Sequence, residues 1–374
     1  MKANFDSLYT MNILLVTLFS LERNTSVAIS NIGITNGLLA LGHKVTWVMP
    51  NWKRCDTQFD ASQVRIIRVP GQDQPRSVGF PRNRIRSHFG MLDFTRSYLR
   101  QVRNTVVPDE FYDVVISTSD PKSSHVFASR LLRHVRYGRW IQHWGDPLLG
   151  DITRNFWWPK WCIKVYEWSI LRKADKIVYV TPFTCDAQRK EHPKLAKRIS
   201  FIPLPADMYV TETVQQADQL RIVYLGDYDP AFRNLRPLYD ACAKMEGISL
   251  TIAGYGPKYP ALPTIRLLSR IPQEKALQIE NEADVIFCVC NTRGTQIPGK
   301  IFYKTASDKH ILVAVEKELH DEMRQYLESY GRFEICDNNP DSIMAALESL
   351  RNRTHKYTTP MRLQPTHIAE SILQ

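Results

Sequence analysis

The sequence predicts an α/β protein built from two doubly wound domains. Three observations carry that expectation. Short apolar runs of buried-strand type alternate with segments of helical period, first from Ile13 to Ile202 and again from Leu220 to Arg351. A polar stretch that opens on Pro203 and Pro205 and runs to Gln219 separates the two series. The chain has 374 residues, enough for two cores. The expected domains are 1–205 and 220–352, joined by a linker at 206–219, with 353–374 as a tail able to form a helix that packs back on the first domain.

Composition narrows the classes. Apolar content of 44% and charge of 23% are ordinary for a globular chain. No apolar run approaches the roughly 18 residues needed to span a bilayer. Ile13–Phe19 is short and lacks a cleavage site, so no secretory leader is expected. Met11 directly precedes that run and is a candidate start, which would leave Met1–Thr10 as an extension. The seven cysteines are scattered, with no CxxC pair and no Cys/His cluster. We therefore expect no metal site, and reduced thiols in a cytoplasmic protein.

The net charge of +11 is uneven. Arg76, Arg82, Arg84, Arg86, Arg96, Arg100 and Arg103 crowd one stretch, and Arg130, Arg133, Arg136 and Arg139 follow. Such a field favours anionic partners, among them an anionic membrane surface. The high pI also raises nucleic acid, but no recognition module is present and none is expected to bind.

In the first half, Ile13–Leu18 reads as a buried strand, Ser26–Leu41 as a helix and Lys44–Met49 as a second strand. This βαβ opening implies a parallel sheet. It lacks GxGxxG, so a dinucleotide fingerprint is absent. Ligands of open parallel sheets sit beyond the strands' carboxyl ends, which makes Ser20–Ser26, with Ser20, Arg23 and Asn24, a candidate binding loop. Val64–Val69 is a third strand, and Gln72–Phe89 a basic loop rich in Gly and Pro. Asp113–Ile116 ends in Ser117-Thr118-Ser119-Asp120-Pro121, and Trp140–Gln142 ends in His143-Trp144-Gly145-Asp146-Pro147. Two successive strands thus deliver polar groups at one edge. Asn155–Lys173 is a helix bearing Phe156, Trp157, Trp158 and Trp161 among Lys160, Lys164, Arg172 and Lys173. Two readings stay open for it: a membrane interface, or aromatic packing against the sheet for at least two of the tryptophans. Strands at Ala174–Val180 and Ile199–Ile202 complete the half.

The second half repeats the pattern. Leu220–Leu225 leads into Gly226-Asp227-Tyr228-Asp229-Pro230, and Ser249–Ala253 into Gly254-Tyr255-Gly256-Pro257. Ile265–Leu268, Val285–Val289 and Ile311–Val315 are further strands, with a short one near Phe333. Helices are expected at Asn234–Met245, Pro272–Ala283, Glu316–Tyr330 and Pro340–Arg351. The stretch Thr295–Val315 reads as loop, helix and strand. Pro298 suits a first helical turn, Gly299 leaves room for a ligand, and Lys300 adds a charge where a helix start attracts anions. Arg233 lies beyond another strand end; if the two loops adjoin, two cations converge in a diphosphate site.

The pieces MNILLVT, ALGHKVTWV, IQHWGDP, ADKIVYVTPFT with FIPLP, LRIVYLGDYDPAFRN, LTIAGYGP, ADVIFCV and IPGKIFYKTASDKHIL, in this order and spacing, resemble the retaining glycosyltransferases of family 4. The resemblance runs nearly the full length and implies the GT-B fold, two Rossmann-like domains facing across a cleft. It implies a nucleotide-sugar donor as co-substrate, with no separate cofactor, held mainly by the second domain. Arg233 and Lys300 would hold the diphosphate, with Gly226, Tyr255, Ile297, Pro298 and Gly299 around it and the main chain near Arg270 and Ile271 at the base. His143 would sit by the donor sugar with Asp146 near it, and Ser20, Arg23, Asn24 and Asp120 would take a glycan or lipid-linked acceptor. Two departures stand out. The family's paired glutamates, eight apart, fall at Thr295 and Tyr303, and the arginine common after the strand-end glycine is Asp227. An active enzyme draws those contacts from other residues. The resemblance thus implies glycosyl transfer with retention, in bacterial surface polysaccharide synthesis; the missing glutamates equally suit a non-catalytic scaffold that partners an active transferase.

Overall fold

The computed structural model describes residues 9–19, 25–50, 59–71, 90–152, 157–206, 219–316, 318–351, 353 and 356–374. Ser20, Arg23, Asn24, Phe156, the basic loop Gln72–Phe89 and most of the linker lie outside the described residues. The chain divides into two compact units, Met1–Pro205 with Pro365–Gln374, and Ala206–Gln364.

In the first unit the order is β1 (Asn12–Val16), α1 (Ser26–Ala40), β2 (Lys44–Pro50), β3 (Arg65–Val69), β4 (Phe111–Thr118), α2 (Ser123–Leu131), β5 (Arg136–Trp144), α3 (Lys160–Leu171), β6 (Lys176–Tyr179), α4 (Pro182–Glu191) and β7 (Ile199–Phe201). The strands form a parallel sheet ordered β3-β2-β1-β4-β5-β6-β7. Ile13-Leu14-Leu15-Val16 is apolar at every position because both sheet faces are covered. Ile13 and Leu15 pack with Ile34 and Leu38 of α1, whereas Leu14 and Val16 pack with Phe127 and Leu131 of α2. The Thr25 hydroxyl accepts from the Ala28 N–H at 3.3 Å and so starts α1. A 3₁₀ segment at Phe94–Arg100, which periodicity does not announce, is tied to α2 by Asp93, whose carboxylate accepts from the Ser123 N–H at 3.1 Å.

The second unit runs β8 (Leu220–Leu225), α5 (Arg236–Lys244), β9 (Ile248–Ala253), β10 (Ile265–Leu268), α6 (Gln273–Glu282), β11 (Val285–Val289), α7 (Lys300–Tyr303), β12 (His310–Val315), α8 (His320–Glu328), β13 (Glu334–Asp337) and α9 (Pro340–Leu350). Its parallel sheet is ordered β10-β9-β8-β11-β12-β13. Tyr224, Leu238, Ile252, Phe287, Leu312 and Ile343 meet in its core. α9 begins where Asn339 Oδ1 accepts from the Ser342 N–H at 2.9 Å.

The tail returns as α10 (Pro365–Leu373) in the first unit. Ile368, Ala369, Ile372 and Leu373 join the core on the α1 side. Burial of each large side chain stabilises by about 1.5–3 kcal/mol, so the apolar face holds this short helix in place. Lys176 Nζ also donates to the carbonyls of Ser371 and Ile372, at 2.8 and 3.1 Å.

Strand order reverses between β1 and β4 in one unit and between β8 and β11 in the other. Ligands of open parallel sheets lie beyond the carboxyl ends of strands at such points. Among the described residues no helix is long and apolar enough to cross a membrane, and no cluster of His, Cys, Asp and Glu could hold a metal ion.

Candidate functional site

In the second unit, β8 ends at Leu225 and Gly226 follows with φ of 143°, a conformation that side chains avoid. A Cβ at Gly226 would lie 3.4 Å from Lys300 Nζ. The backbones press close here as well, for a Cβ at Gly254 would stand 2.1 Å from the Gly226 carbonyl oxygen. Glycine at the two positions therefore lets the strand-end turns press together and the Lys300 ammonium lie against the Gly226 backbone.

Lys300 is only 8% exposed, and its ammonium has no hydrogen-bond partner among the described residues. It stands 3.5 Å from the centroid of the Tyr224 ring. Burial pushes the Lys300 ammonium down to about 7, and the positive charge of Arg233 adds to the fall. Arg233 is thus close enough for its charge to reach Lys300. Its guanidinium donates from Nε to Asn291 Oδ1 at 3.1 Å, and Asn291 Nδ2 donates to the Gln296 carbonyl at 2.9 Å. Asn291 stands just past β11 and ties the arginine to the loop that leads to Lys300. Sequence reasoning missed it, although a polar residue two positions past a buried strand was the available signal.

The stretch is loop, helix and strand as its sequence suggests, but the helix is brief: α7 has four residues and passes into a 3₁₀ turn at Lys304–Ala306. One turn sums few peptide dipoles, so the positive field comes chiefly from the buried Lys300 rather than from a helix terminus. Ile297 and Pro298 are buried beneath the loop and Gly299 precedes the helix. Tyr303 is partly buried, and burial raises its phenol far above the usual range, so it stays protonated. Lys304 pairs with Glu280, a fully buried carboxylate on α6.

Asp227 has its own partner. Its carboxylate accepts from Arg270 Nε at 3.0 Å and from the Tyr255 N–H at 3.0 Å, and the Arg270 guanidinium lies 5.2 Å from the Tyr255 ring centroid. Burial raises the Asp227 carboxyl, but the Arg270 and Tyr255 hydrogen bonds outweigh it and hold the group below the usual range. Gly226, Tyr255 and Arg270 are thereby linked through one residue; Ile271 follows Arg270 as a half-buried residue.

In the first unit, the edge beyond β4 and β5 holds a charged cluster. Lys122 Nζ donates to Asp120 Oδ1 and to Asp151 Oδ2, both at 2.8 Å. Lys122 and Asp151 are buried, whereas the Asp120 side chain keeps 37% exposure. Burial and the Asp120 charge push the Asp146 carboxyl up to about 7. Thr118 and His143 are register partners on neighbouring strands. His143 is buried, its Nε2 has no hydrogen-bond partner among the described residues, and burial pushes it down to about 4. It is therefore a neutral imidazole at neutral pH. Ser117 Oγ accepts from Trp140 Nε1 at 2.9 Å and shares a 2.8 Å bond with His125 Nδ1, which fixes the strand beneath. So Asp120, His143 and Asp146 share one edge, as expected. Lys122 and Asp151 were not foreseen; their pairing spans 29 positions and only the fold reveals it.

The loop that carries Asp146 and Asp151 is fixed to α3. Glu167 Oε1 accepts from the N–H groups of Leu148 and Leu149, at 2.6 and 3.1 Å, and Glu167 Oε2 lies 3.0 Å from His192 Nε2. Exposure at the start of α3 bears on one of the two readings of the tryptophans, packing against the sheet. Trp157 and Trp161 are exposed and Trp158 is half-buried, so packing against the sheet does not hold for two of the three.

No family model matches the chain, and no curated protein matches it. Solved structures do. Anabaena HepE in complex with UDP and glucose aligns with a TM-score of 0.57 at 10% identity, covering 97% of this chain and 95% of that one. The same protein in complex with UDP-glucose aligns with a TM-score of 0.56 at 11% identity, covering 97% and 98%. Identity this low speaks for architecture alone. The two parallel sheets with their helices are the GT-B glycosyltransferase fold, and the chain has that fold over nearly its whole length.

Proposed function

We propose that this chain is a glycosyltransferase that moves a sugar from a nucleotide-sugar donor to a glycan or lipid-linked acceptor. The observation that carries the reading is the buried Lys300 ammonium beside Gly226, which has no hydrogen-bond partner among the described residues, with Arg233 in electrostatic reach. A buried cation without a counterion is costly, and a diphosphate would satisfy it. HepE, of like fold, holds UDP with glucose and UDP-glucose. In the transfer, the bond from the anomeric carbon to the diphosphate oxygen breaks, and the departing group gains negative charge. Lys300 and Arg233 stabilise that charge, which lowers the barrier. The acceptor hydroxyl oxygen forms the new bond to the anomeric carbon and gives up its proton. We assign acceptor binding to the first unit, at the edge that carries Asp120, His143 and Asp146.

We further propose retention at the anomeric carbon, as the family 4 resemblance implies, with a growing glycan of a bacterial surface polysaccharide as acceptor. Work at the inner face of a membrane fits the basic first domain. The test is transfer by wild type and by Lys300→Ala: the variant should lose turnover while it keeps its fold, and near-normal turnover would refute the assignment. The anomeric configuration of the product, read by NMR, tests retention.

Thr295 and Tyr303, at the positions of the family's paired glutamates, favour a second reading, a non-catalytic scaffold that partners an active transferase. Calorimetry against a panel of nucleotide sugars separates the two. Binding of a donor supports the transferase, and binding of none supports the scaffold.

A further inference from the structure

α3 presents two opposite faces. Ile163, Glu167, Ile170 and Leu171 are buried against the first unit. Trp161, Val165 and Trp168, spaced i, i+4 and i+7, form a single outward stripe and are 68%, 59% and 38% exposed. Trp157, just ahead of the helix, is 58% exposed. A solvated helix face gains nothing from two tryptophans and a valine in line, and stripes of this kind mark contact surfaces.

The C-terminal end of the stripe is strongly basic. The Arg172 guanidinium lies 4.9 Å from the Trp168 ring centroid, and Lys173 Nζ donates to Ser129 of α2 at 3.0 Å. Arg130 and Arg133, at and just past the end of α2, are exposed, and their charges together with that of Arg172 reach Lys173. Four cations therefore gather beside the aromatic stripe. Indole rings favour the boundary between headgroups and acyl chains, and clustered Lys and Arg favour anionic headgroups. Two copies of this chain joined through the same face would bring like charges together, which disfavours a dimer.

We propose that the outward face of α3, with Arg130, Arg133, Arg172 and Lys173, docks the first unit on a bilayer rich in anionic lipid. The inward face of the same helix holds, through Glu167, the loop that bears Asp146 and Asp151. Docking would thus set the acceptor edge at a fixed distance from the lipid surface. The surface argument stands apart from the transferase reading, because it needs no donor and no turnover.

Flotation of the full chain with phosphatidylglycerol vesicles, with phosphatidylcholine vesicles as control, tests it. Wild type should float with the anionic vesicles only, with a blue shift of tryptophan fluorescence. The double variant Trp161→Ser/Trp168→Ser and the double variant Arg130→Glu/Arg133→Glu should each lower binding about tenfold or more at low salt. All four side chains are on the surface, and unchanged thermal melting would show that both variants fold. Absence of wild-type binding to anionic vesicles would overturn the proposal, as would equal binding by either variant. A stripe that binds a single-stranded oligonucleotide, or that dimerises the chain in sedimentation, without vesicle binding would overturn it too.

Discussion

The Lys300 ammonium stands 3.5 Å over the centroid of the Tyr224 ring, at the carboxyl end of β8, and meets no hydrogen-bond acceptor among the described residues. The ring face offsets part of the burial cost, by about 2 kcal/mol at most desolvated sites of this kind. It does not supply the counterion that a buried ammonium ordinarily has.

One consequence is for stability. The group falls from 10.5 to about 7 on folding, so between those values the unfolded chain binds more protons than the folded one. Stability therefore rises with pH across that window. Below pH 7 the penalty is present in full. Lys300→Met should be more stable than wild type at neutral pH, by up to roughly 1.4 kcal/mol per pKa unit less the lost ring contact, and the gap should close toward pH 10.5. Urea denaturation of both proteins across the range measures it.

A second consequence is for binding. A diphosphate beside Lys300 would restore its affinity for a proton. At pH of about 8, binding of a nucleoside diphosphate should take up a fraction of a proton, and Lys300→Met should take up less. Calorimetry in two buffers of different ionisation enthalpy reads the difference directly.

In the first unit, Lys122 is held by Asp120 and Asp151 at 2.8 Å each. Lys122→Met would take from the buried Asp151 carboxylate the ammonium that donates to it at 2.8 Å. Loss of one partner of a buried pair costs about 3–5 kcal/mol, and thermal or urea melting should show it. An unchanged midpoint would mean that water reaches Asp151.

Asp146 carries the opposite signature to Lys300. Its carboxyl rises from 3.8 to about 7, so the folded state binds more protons in that window and stability falls as pH rises through it. Asp146→Asn should remove that loss. It should be the more stable protein at pH of about 8 and gain little at pH of about 4.

Gly254→Ala would place a methyl group 2.1 Å from the Gly226 carbonyl oxygen. The backbone must shift, at a cost of about 1–3 kcal/mol, and the shift moves the Gly226 backbone that lies against the Lys300 ammonium. We expect lower stability together with weaker diphosphate binding.

Much of the fold was legible because both sheets are parallel and covered on both faces. Runs such as Val285–Val289 and Leu220–Leu225 are apolar throughout, and β11 and β8 span those residues. β5 is longer than the expected Trp140–Gln142, because its first residues, Arg136 to Arg139, lie at a half-exposed end where apolar content gives no signal. The helix of the Thr295–Val315 stretch was legible, but its division into one α turn and a 3₁₀ turn was not, since Ile301, Phe302 and Thr305 at helical spacing fit either. At the site, strand-end residues such as Gly226, Arg233 and His143 could be found from position alone. Asn291 carried a weaker signal of the same kind, two residues past β11, whereas the Lys122–Asp151 pair carried none, because its meaning lies in partners distant in the chain. The tryptophans of α3 announced a helix face, but which face turned outward depended on packing of Ile163, Glu167 and Ile170.

The most direct test of the donor site is a calorimetric titration of UDP into wild type and into Lys300→Ala at neutral pH and low salt. The account predicts saturable binding by wild type and a loss of about tenfold or more in the variant, whose fold is intact by circular dichroism. Equal affinity in the two proteins would contradict it.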